Sequence, residues 1–418
     1  MTAVPAPHTP LRRLVRMSGR DLRERHRSAT PLELLFDLSF VVAFGQAGNQ
    51  LAHLVAEGHI GPGILGFAFA MGATCWAWIN FTWFASAYDT DDWAYRLTTM
   101  VQMVGVVILA LGLPAMFASL DHSDHVDNGV IVLGYIIMRV ALVAQWLRAA
   151  RQDPVRRKTA LAYAFWVSLA QVGWVVLLIA NPTTPVFFVF VLLLFCLEFI
   201  GPVLAERKTS GTPWHPHHVA ERYGLLAIIA LGEGVFGTVA AVGVLVEHQG
   251  GWSPEAVLLV FAGLGLTFGL WWIYFMQPSG PVLERHRERS WGWGYGHILL
   301  YASIAATGAG LHVAAYVIEG DAKIGVLGAV VAVAVPVLIF VISLFVLYTW
   351  LLHGFDPFHV GLVLGTIAVL VIAIVAASAG ASISACLILV TLAPAVVVVG
   401  YETVGHRHAA AALERALR

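Results

Sequence analysis

Two carboxylates stand at the beginning of the first long apolar stretch of the sequence. Glu33 and Asp37 lie four residues apart in the segment 30–46, directly after an arginine-rich tail. On an α-helix, residues four apart share one face. Because an ion exposed to lipid is costly, we expect that face to turn toward protein or water, where a carboxylate can bind a proton or a cation. Gln46 continues this polar stripe, or it serves as a hydrogen-bonding residue between helices.

Glu33 and Asp37 lie at different depths along the predicted helix, and they are therefore interpreted differently. Glu33 stands in the first turn of the predicted helix, where the helix dipole alone stabilises a negative charge. Asp37 is one turn further in, roughly 8 Å from the helix start at 1.5 Å per residue. At that depth a carboxylate is either functional or paired with a buried cation.

Three more ionisable residues fall inside apolar stretches. Glu233 lies roughly 15 Å into its stretch, near the middle of a ~30 Å hydrocarbon core. Arg139 lies at a similar depth and needs a counter-charge. The available anions are Asp37, Glu198 and Glu233. We expect Arg139 and Glu233 to face a common interior, either paired directly or sharing a site with one of the other two carboxylates. A purely structural ion pair is the alternative.

Charged residues also gather where apolar stretches begin and end. An acidic group follows the second stretch, and a glutamate–arginine pair opens the seventh. The simplest interpretation is a capping cluster in the first case and a solvated pair at the membrane surface in the second. Because two halves of the chain meet there, a gate is the functional alternative. The gating candidates are Asp89, Asp91, Asp92, Arg96, Glu221 and Arg222.

The composition fixes the class of protein. The chain has 418 residues, of which 59% are hydrophobic and 12% are charged, and its mean hydropathy is +0.79. A soluble domain carries about 25% charged residues. Apolar stretches near the ~20 residues that span a bilayer recur along the whole length. We therefore predict an all-α polytopic helical bundle in a lipid bilayer.

Twelve membrane-spanning helices are predicted from hydropathy and turn signals. They lie at 31–54, 60–85, 97–119, 128–148, 158–180, 185–204, 220–246, 253–276, 292–317, 324–352, 359–379 and 382–403. Basic residues are concentrated in the tails and in four even-numbered connections, whereas the odd-numbered connections hold only Lys323. The first tail contributes Arg12, Arg13, Arg16, Arg20, Arg23, Arg25 and Arg27. The positive-inside rule then places both termini in the cytoplasm.

The chain divides into two predicted halves. The predicted boundaries are a basic tail at 1–29, a first half at 30–205, a connection at 206–219, a second half at 220–404 and a tail at 405–418. The sequence GFAFAMGATCWAWINF at 66–81 resembles VFAGLGLTFGLWWIYF at 260–275. Because six spans per half is an even number, the halves would be parallel repeats with the same orientation. Chance similarity between tryptophan-rich membrane helices is the alternative.

Several kinds of chemistry find no support in the sequence. Cys75, Cys196 and Cys386 lie inside apolar stretches, which argues against a disulfide or a cysteine metal site. The segment GEGVFG at 232–237 has the spacing G-x-G-x-x-G, but no strand precedes it. The histidines at 215–218 are split by a proline and lack a second ligand cluster. We predict no catalytic residue, metal, cofactor or nucleic-acid partner, and no enzymatic activity.

Three motifs carry a resemblance to a known family. They are TPLELLFDL at 30–38, DTDDWAYR at 89–96 and ERYGLLAIIALGE at 221–233. In combination they resemble the bacterial low temperature requirement A family, and the resemblance covers nearly the whole chain after the basic tail. The resemblance implies a multi-pass protein of the bacterial inner membrane with a role in growth in the cold. It supplies no substrate or mechanism.

The leading hypothesis is a secondary-transporter-like protein that moves an ion, a proton or a small solute. In it Asp37, Glu198 and Glu233 bind a proton or cation, and Arg139 tunes them. The alternatives are a non-transporting factor for adaptation of the membrane to cold or stress, and a channel. Convergence of these residues on one cavity favours transport, whereas separate local pairs favour the adaptation factor.

Overall fold

The apolar stretches of the sequence form helices, and the computed structural model describes them within residues 14–21, 24, 27–207 and 211–418. The helices are α1 (Pro31–Ala56), α2 (Ile60–Tyr88), α3 (Trp93–His122), α4 (Gly129–Gln152), α5 (Arg157–Ala180), α6 (Thr184–Arg207), α7 (Pro216–His248), α8 (Pro254–Tyr274), α9 (Ser279–Arg285), α10 (Ser290–Glu319), α11 (Val326–Leu352), α12 (Pro357–Ser378), α13 (Ile383–Gly400) and α14 (His406–Leu417). Arg12, Arg13, Arg23, Arg25 and residues 208–210 lie outside the described residues.

The predicted class and number of spans are confirmed. Twelve helical segments in the described ranges are long and apolar enough to cross a membrane, and no strand occurs there. The short helix α9 and one 3-10 turn (Arg287–Arg289) connect α8 to α10. The parallel two-fold repeat stays a prediction.

The first helix begins at a capping box that the sequence encodes directly. Glu33 N donates to Thr30 Oγ1 at 3.3 Å, and Thr30 N donates to Glu33 Oε2 at 2.8 Å. Pro31 occupies the first helical position, where a missing N–H removes no hydrogen bond. The capping box fixes the residue at which α1 starts, and therefore how far along the helix each later residue lies.

Four helices form the centre of the bundle. Helix α1 packs against α2, α3, α7 and α10, and α7 packs closely on α10. Helices α3 to α6 pack in sequence on one side, whereas α8 and α11 to α13 pack together on the other. The predicted halves therefore meet mainly where α1 and α2 contact α7 and α10.

The connections group at two ends of the bundle. At one end, the amino-terminal segment is anchored because Val15 N donates to Asp92 Oδ2 at 3.1 Å. At the opposite end, Lys323 Nζ pairs with Glu57 Oε2 at 2.7 Å. We call the first the basic end, which comprises residues 14–21, 89–92, 153–156, 211–215 and 286–289.

Candidate functional site

Asp37 on α1 is paired with Arg222 on α7. Arg222 Nε donates to Asp37 Oδ2 at 3.1 Å, and a second guanidinium nitrogen donates to Asp37 Oδ1. Trp78 on α2 donates from its indole nitrogen to Asp37 Oδ1 at 2.6 Å, and its ring lies 5.6 Å from the guanidinium carbon. Asp37 and Arg222 are fully buried. The Asp37–Arg222 pair joins α1 to α7, and the hydrogen bond from Trp78 adds α2.

Glu33 extends this arrangement toward the basic end. Arg222 NH1 lies 3.2 Å from Glu33 Oε1, and His218 Nε2 lies 3.2 Å from Glu33 Oε2. Arg27 NH2 donates to Glu33 Oε1 at 3.2 Å, and Arg27 NH1 donates to the carbonyl oxygen of Ser86 at 2.6 Å. Glu33 therefore caps α1, as its position in the first turn predicted, and is also buried among basic side chains. Its role in ion binding stays a prediction. We call the whole set the α1–α7 cluster, which consists of Arg27, Glu33, Asp37, Trp78, His218 and Arg222.

The expected solvated pair of Glu221 and Arg222 is not observed. Glu221 is exposed, whereas Arg222 is fully buried and bound to α1. Neighbouring residues on a helix point in directions about 100° apart, because 3.6 residues make one turn. The adjacent charges therefore face different surroundings, and Arg222 belongs to the α1–α7 cluster. The gating role of both residues stays a prediction.

A second buried cluster surrounds Glu198 on α6. Its carboxylate accepts hydrogen bonds from Trp76 Nε1 at 2.5 Å, Trp174 Nε1 at 3.1 Å and Tyr135 OH at 3.0 Å. Arg139 NH2 donates to Glu198 Oε2 at 3.2 Å and also to Tyr135 OH. Of the predicted anions, Glu198 is the counter-charge of Arg139. We call these five residues the Arg139–Glu198 cluster.

Glu233 lies alone at the middle of α7. It is 6% exposed, and within the described ranges no hydrogen-bond donor or cation contacts its carboxylate. Gly45 on α1 leaves room for it, since a Cβ there would lie 3.2 Å from Glu233 Oε1. Gly308 on α10 lets the backbones approach, since a Cβ there would lie 2.6 Å from the Glu233 carbonyl carbon. Gln46, the next residue on α1, is partly exposed.

The expected common site for Arg139 and Glu233 does not form. Arg139 on α4 is bound to Glu198 on α6, whereas Glu233 on α7 lies between α1 and α10. Asp37 lies eight residues before Gly45 on α1, roughly 12 Å along the helix axis. The four residues therefore occupy three places: the α1–α7 cluster, the Arg139–Glu198 cluster and the position of Glu233. The similar depth of Arg139 and Glu233 stays a prediction, and depth in any case does not specify the lateral position of a residue in a bundle.

The acidic connection after α2 acts as a helix cap and an anchor. Asp92 Oδ1 accepts from the backbone nitrogen of Tyr95 at 2.9 Å and from Arg148 NH1 at 3.0 Å. Burial opposes ionisation of Asp92, but the hydrogen bonds from Arg148 and the backbone lower its pKa to about 2. Asp91 and Arg96 form a bidentate pair at 2.8 and 2.7 Å on the exposed side.

The pKa of Asp89, in the same connection, is shifted in the opposite direction to that of Asp92. Its side chain is buried beside the α1–α7 cluster, with Arg27 NH2 at 3.4 Å and Arg20 NH2 at 3.9 Å. Burial, followed by the negative charge of Glu33, raises the pKa of Asp89 to about 6 against the attraction of the two arginines. The capping interpretation describes Asp92 alone, since Asp91 pairs with Arg96 and Asp89 lies beside the buried cluster.

A cavity of about 380 Å³ opens at the basic end and was not anticipated from the sequence. We call it the aromatic vestibule. It is lined by Trp83, Arg156, Glu206, Gly211, Thr212, Pro213, Trp214, Arg287, Glu288, Ser290 and Trp291. Tryptophan is common at membrane boundaries, and Glu206 precedes two basic residues, so each suggested an ordinary helix end. Only folding brings α2, α6, the 211–214 connection and α10 together around one space.

The histidines and cysteines of the described residues are not grouped for metal binding. Within the described ranges, no group of three or more histidine, cysteine, aspartate or glutamate side chains is placed to hold a metal ion. The three cysteines are free, and His215 and His218 bind other groups: the carbonyl oxygen of Glu24 and the carboxylate of Glu33.

Comparison with known proteins agrees with the motifs. A family model described as bacterial low temperature requirement A protein (LtrA) matches residues 28–394. An uncharacterised protein of Rhizobium meliloti (strain 1021) is 26% identical over 295 residues, which cover 66% of this chain and 67% of that protein. No solved structure is significantly similar.

Proposed function

We propose, for a chain that belongs to the bacterial low temperature requirement A family, a secondary-transporter-like function in which Glu233 binds and releases a proton or a small cation. The observation that carries the proposal is the isolation of Glu233 on α7. Every other carboxylate singled out within the spans has a basic partner: Glu33 and Asp37 share Arg222, and Glu198 has Arg139.

The physical argument concerns charge compensation. An unpaired charge at the bilayer centre costs about 2.5–3.5 kcal/mol on insertion scales, and more by other measures. Since the described residues offer Glu233 no cation, the compensating positive charge has to come from solution, as a proton or as a cation. A site that exchanges its counter-ion with solution is the minimum that ion-coupled transport requires.

The α1–α7 cluster supplies the second part of the proposal. The Asp37–Arg222 pair joins the two predicted halves, and breaking a buried pair costs about 3–5 kcal/mol. Transport by alternating access moves one half against the other. We propose that this pair closes the bundle at the basic end, and we place that end on the cytoplasmic side of the bacterial inner membrane.

A second candidate function is favoured by a different observation. The remaining buried charges form two separate clusters rather than one cavity, the arrangement expected of a non-transporting membrane factor. In that case both clusters serve only to hold helices together, and Glu233 is a helix-packing residue. Flux measurements separate the two functions.

The test is flux into proteoliposomes that contain the purified full chain, across an imposed pH gradient, with a panel of monovalent cations and small solutes. We expect flux with the unmodified protein and its loss in Glu233→Gln. The matched control is Glu247→Gln, because Glu247 is exposed near the end of the same helix. Absence of flux with every solute, or equal flux in Glu233→Gln, would contradict the transport proposal.

A further inference from the structure

The exposed face of α1 changes from apolar to polar about halfway along the helix. Toward the basic end it carries Leu35, Leu38 and Val42, each about half exposed. Toward the opposite end its side chains are polar, and we call them the polar face of α1: Gln46, Asn49, Gln50 and His53. Steps of three or four residues join all of these positions into one stripe. The change falls at Gly45, where an added Cβ would lie 3.2 Å from Glu233 Oε1.

The polar face of α1 has no partner inside the described part of the chain. Its four side chains form no hydrogen bond or ion pair with a described residue, and Asn49 and His53 are exposed. Gln46 lies ten residues before the end of α1, roughly 15 Å along the axis and therefore near the middle of a ~30 Å hydrocarbon core. A polar group without a hydrogen bond is costly in hydrocarbon. Either water reaches this face, or another chain covers it.

Helix α10 supplies a matching series of residues. Gly308 contacts the backbone of Glu233, and His312 and Tyr316 follow on the same face of α10 at one and two turns. His312 is partly exposed and forms no hydrogen bond with a described residue. The ring centroids of Tyr316 and His53 are 6.4 Å apart. The series on α1 and α10 therefore both begin beside Glu233 and meet again near the opposite end of the bundle.

The route from Glu233 to the basic end is closed. Arg222 lies eleven residues before Glu233 on α7, roughly 16 Å along the axis, and is buried against Asp37. Ser39, in the apolar half of α1, donates to the carbonyl oxygen of Phe36 at 2.7 Å and needs no water. On α1, the polar side chains without partners therefore lie only between the level of Glu233 and the opposite end. This asymmetry favours water over a second chain, because a contact between chains has no reason to begin at the depth of Glu233.

We propose that the polar face of α1, together with His312, lines a hydrated path from Glu233 to the side of the membrane opposite the basic end. Through this path Glu233 exchanges its proton or small cation with that side. The side-chain amides of Gln46 and Asn49 offer both donors and acceptors to water, and they add no fixed charge that would hold the ion. The inference rests on the proposed function and adds the direction of access: this structure is open toward the opposite side and closed at the Asp37–Arg222 pair.

The test is the reaction of single cysteines with a charged, membrane-impermeant methanethiosulfonate reagent. Such a reagent reaches a thiol only through water, and the reactive thiolate does not form in an apolar environment. The background is the full chain with Cys75→Ala, Cys196→Ala and Cys386→Ala, which removes the native thiols. In this background, Gln46→Cys and Asn49→Cys report on the polar face of α1.

Four control cysteines make the result specific. Leu38→Cys and Val42→Cys lie in the apolar half of the same stripe, whereas Lys323→Cys and Glu288→Cys mark the opposite end and the basic end, where both residues are exposed. The reagent is added to intact cells and to inverted membrane vesicles. From the side that modifies Lys323→Cys, both polar-face cysteines should react at least tenfold faster than the apolar pair. Equal rates at polar and apolar positions, or access only from the side that modifies Glu288→Cys, would overturn the proposal.

Failure of this inference can be told apart from failure of the transport proposal. Labelling needs no ion movement, so reaction of Asn49→Cys without flux of any solute supports the hydrated path and contradicts transport. Flux without reaction at Gln46→Cys and Asn49→Cys supports transport and overturns the path. A disulfide between the Asn49→Cys residues of two chains, in place of reaction with the reagent, would show that a second copy covers the polar face and would also overturn the path. Because Asn49 is exposed, its variant keeps the test decisive if Gln46→Cys does not fold.

Discussion

Arg222 donates from two of its nitrogens to the carboxylate of Asp37, at the contact between α7 and α1. The two residues are 185 positions apart in the sequence and belong to different predicted halves. Both are fully buried, so neither charge is compensated by water. This pair fixes the relative position of the two halves at the basic end.

The first prediction concerns the coupling of this pair. Arg222→Gln should lower the free energy of unfolding by about 3–5 kcal/mol, because it leaves the buried charge of Asp37 without a partner. Asp37→Asn should cost less, because Arg222 keeps Glu33 as a partner at 3.2 Å. The double variant should recover part of the loss. Thermal unfolding of the four proteins in detergent gives the coupling energy. Strictly additive losses would show that the pair is not a unit.

The second prediction separates the other buried charges. Arg139→Gln and Glu198→Gln should be coupled, because Arg139 donates to Glu198 at 3.2 Å. Arg139→Gln and Glu233→Gln should be additive within about 0.5 kcal/mol, because they have no shared partner. The same unfolding assay compares the two double variants. Coupling of Arg139 to Glu233 would place both in one site and contradict the observed separation.

The sequence predicts where the helices lie along the chain, but it does not predict which helices are neighbours. Hydropathy and turn signals predicted the twelve spans and the start of α1 correctly. The partner of Arg139 could not be chosen among three anions of suitable depth, since the choice depends on which helices are neighbours. Neighbouring helices are determined by close backbone approaches, such as that of Gly308 on α10 to Glu233 on α7. These approaches join residues that are far apart in the sequence. The aromatic vestibule was missed for the same reason.

The third prediction tests the close approach of α7 and α10. Gly308→Ala should destabilise the protein by about 1–3 kcal/mol, because the new methyl group meets backbone atoms of Glu233. Gly243→Ala on α7 is the matched control, since nothing lies within 4 Å of its added Cβ. The control should be neutral or stabilising by up to about 1 kcal/mol. Equal effects in the two variants would contradict the packing described for Glu233.

The fourth prediction concerns pH and Asp89. The pKa of this carboxyl is raised in the folded protein from its ordinary value of 3.8 to about 6. The folded state therefore binds more protons than the unfolded state within that window, and stability falls as the pH rises through it. Asp92 does not contribute to this pH dependence between pH 4 and pH 7, because its pKa is lowered to about 2.

The measurement is the unfolding midpoint of the unmodified protein and of Asp89→Asn at several pH values between about 4 and 7. Relative to the variant, the unmodified protein should lose stability as the pH rises from 4 through 6, and the loss should level off near pH 7. Comparison with the variant cancels the other titrating groups. Parallel curves for the two proteins would exclude a raised pKa at Asp89.

The most direct test of the account is infrared difference spectroscopy on Glu233, with the purified full chain in lipid. Spectra are recorded on changing the pH and on adding monovalent cations, for the unmodified protein, Glu233→Gln and Glu247→Gln. If Glu233 exchanges a proton or a cation with solution, its carboxyl bands should change in the unmodified protein and in Glu247→Gln, and this change should be missing from Glu233→Gln. Identical difference spectra for all three proteins would mean that Glu233 binds neither, and the central claim would be wrong.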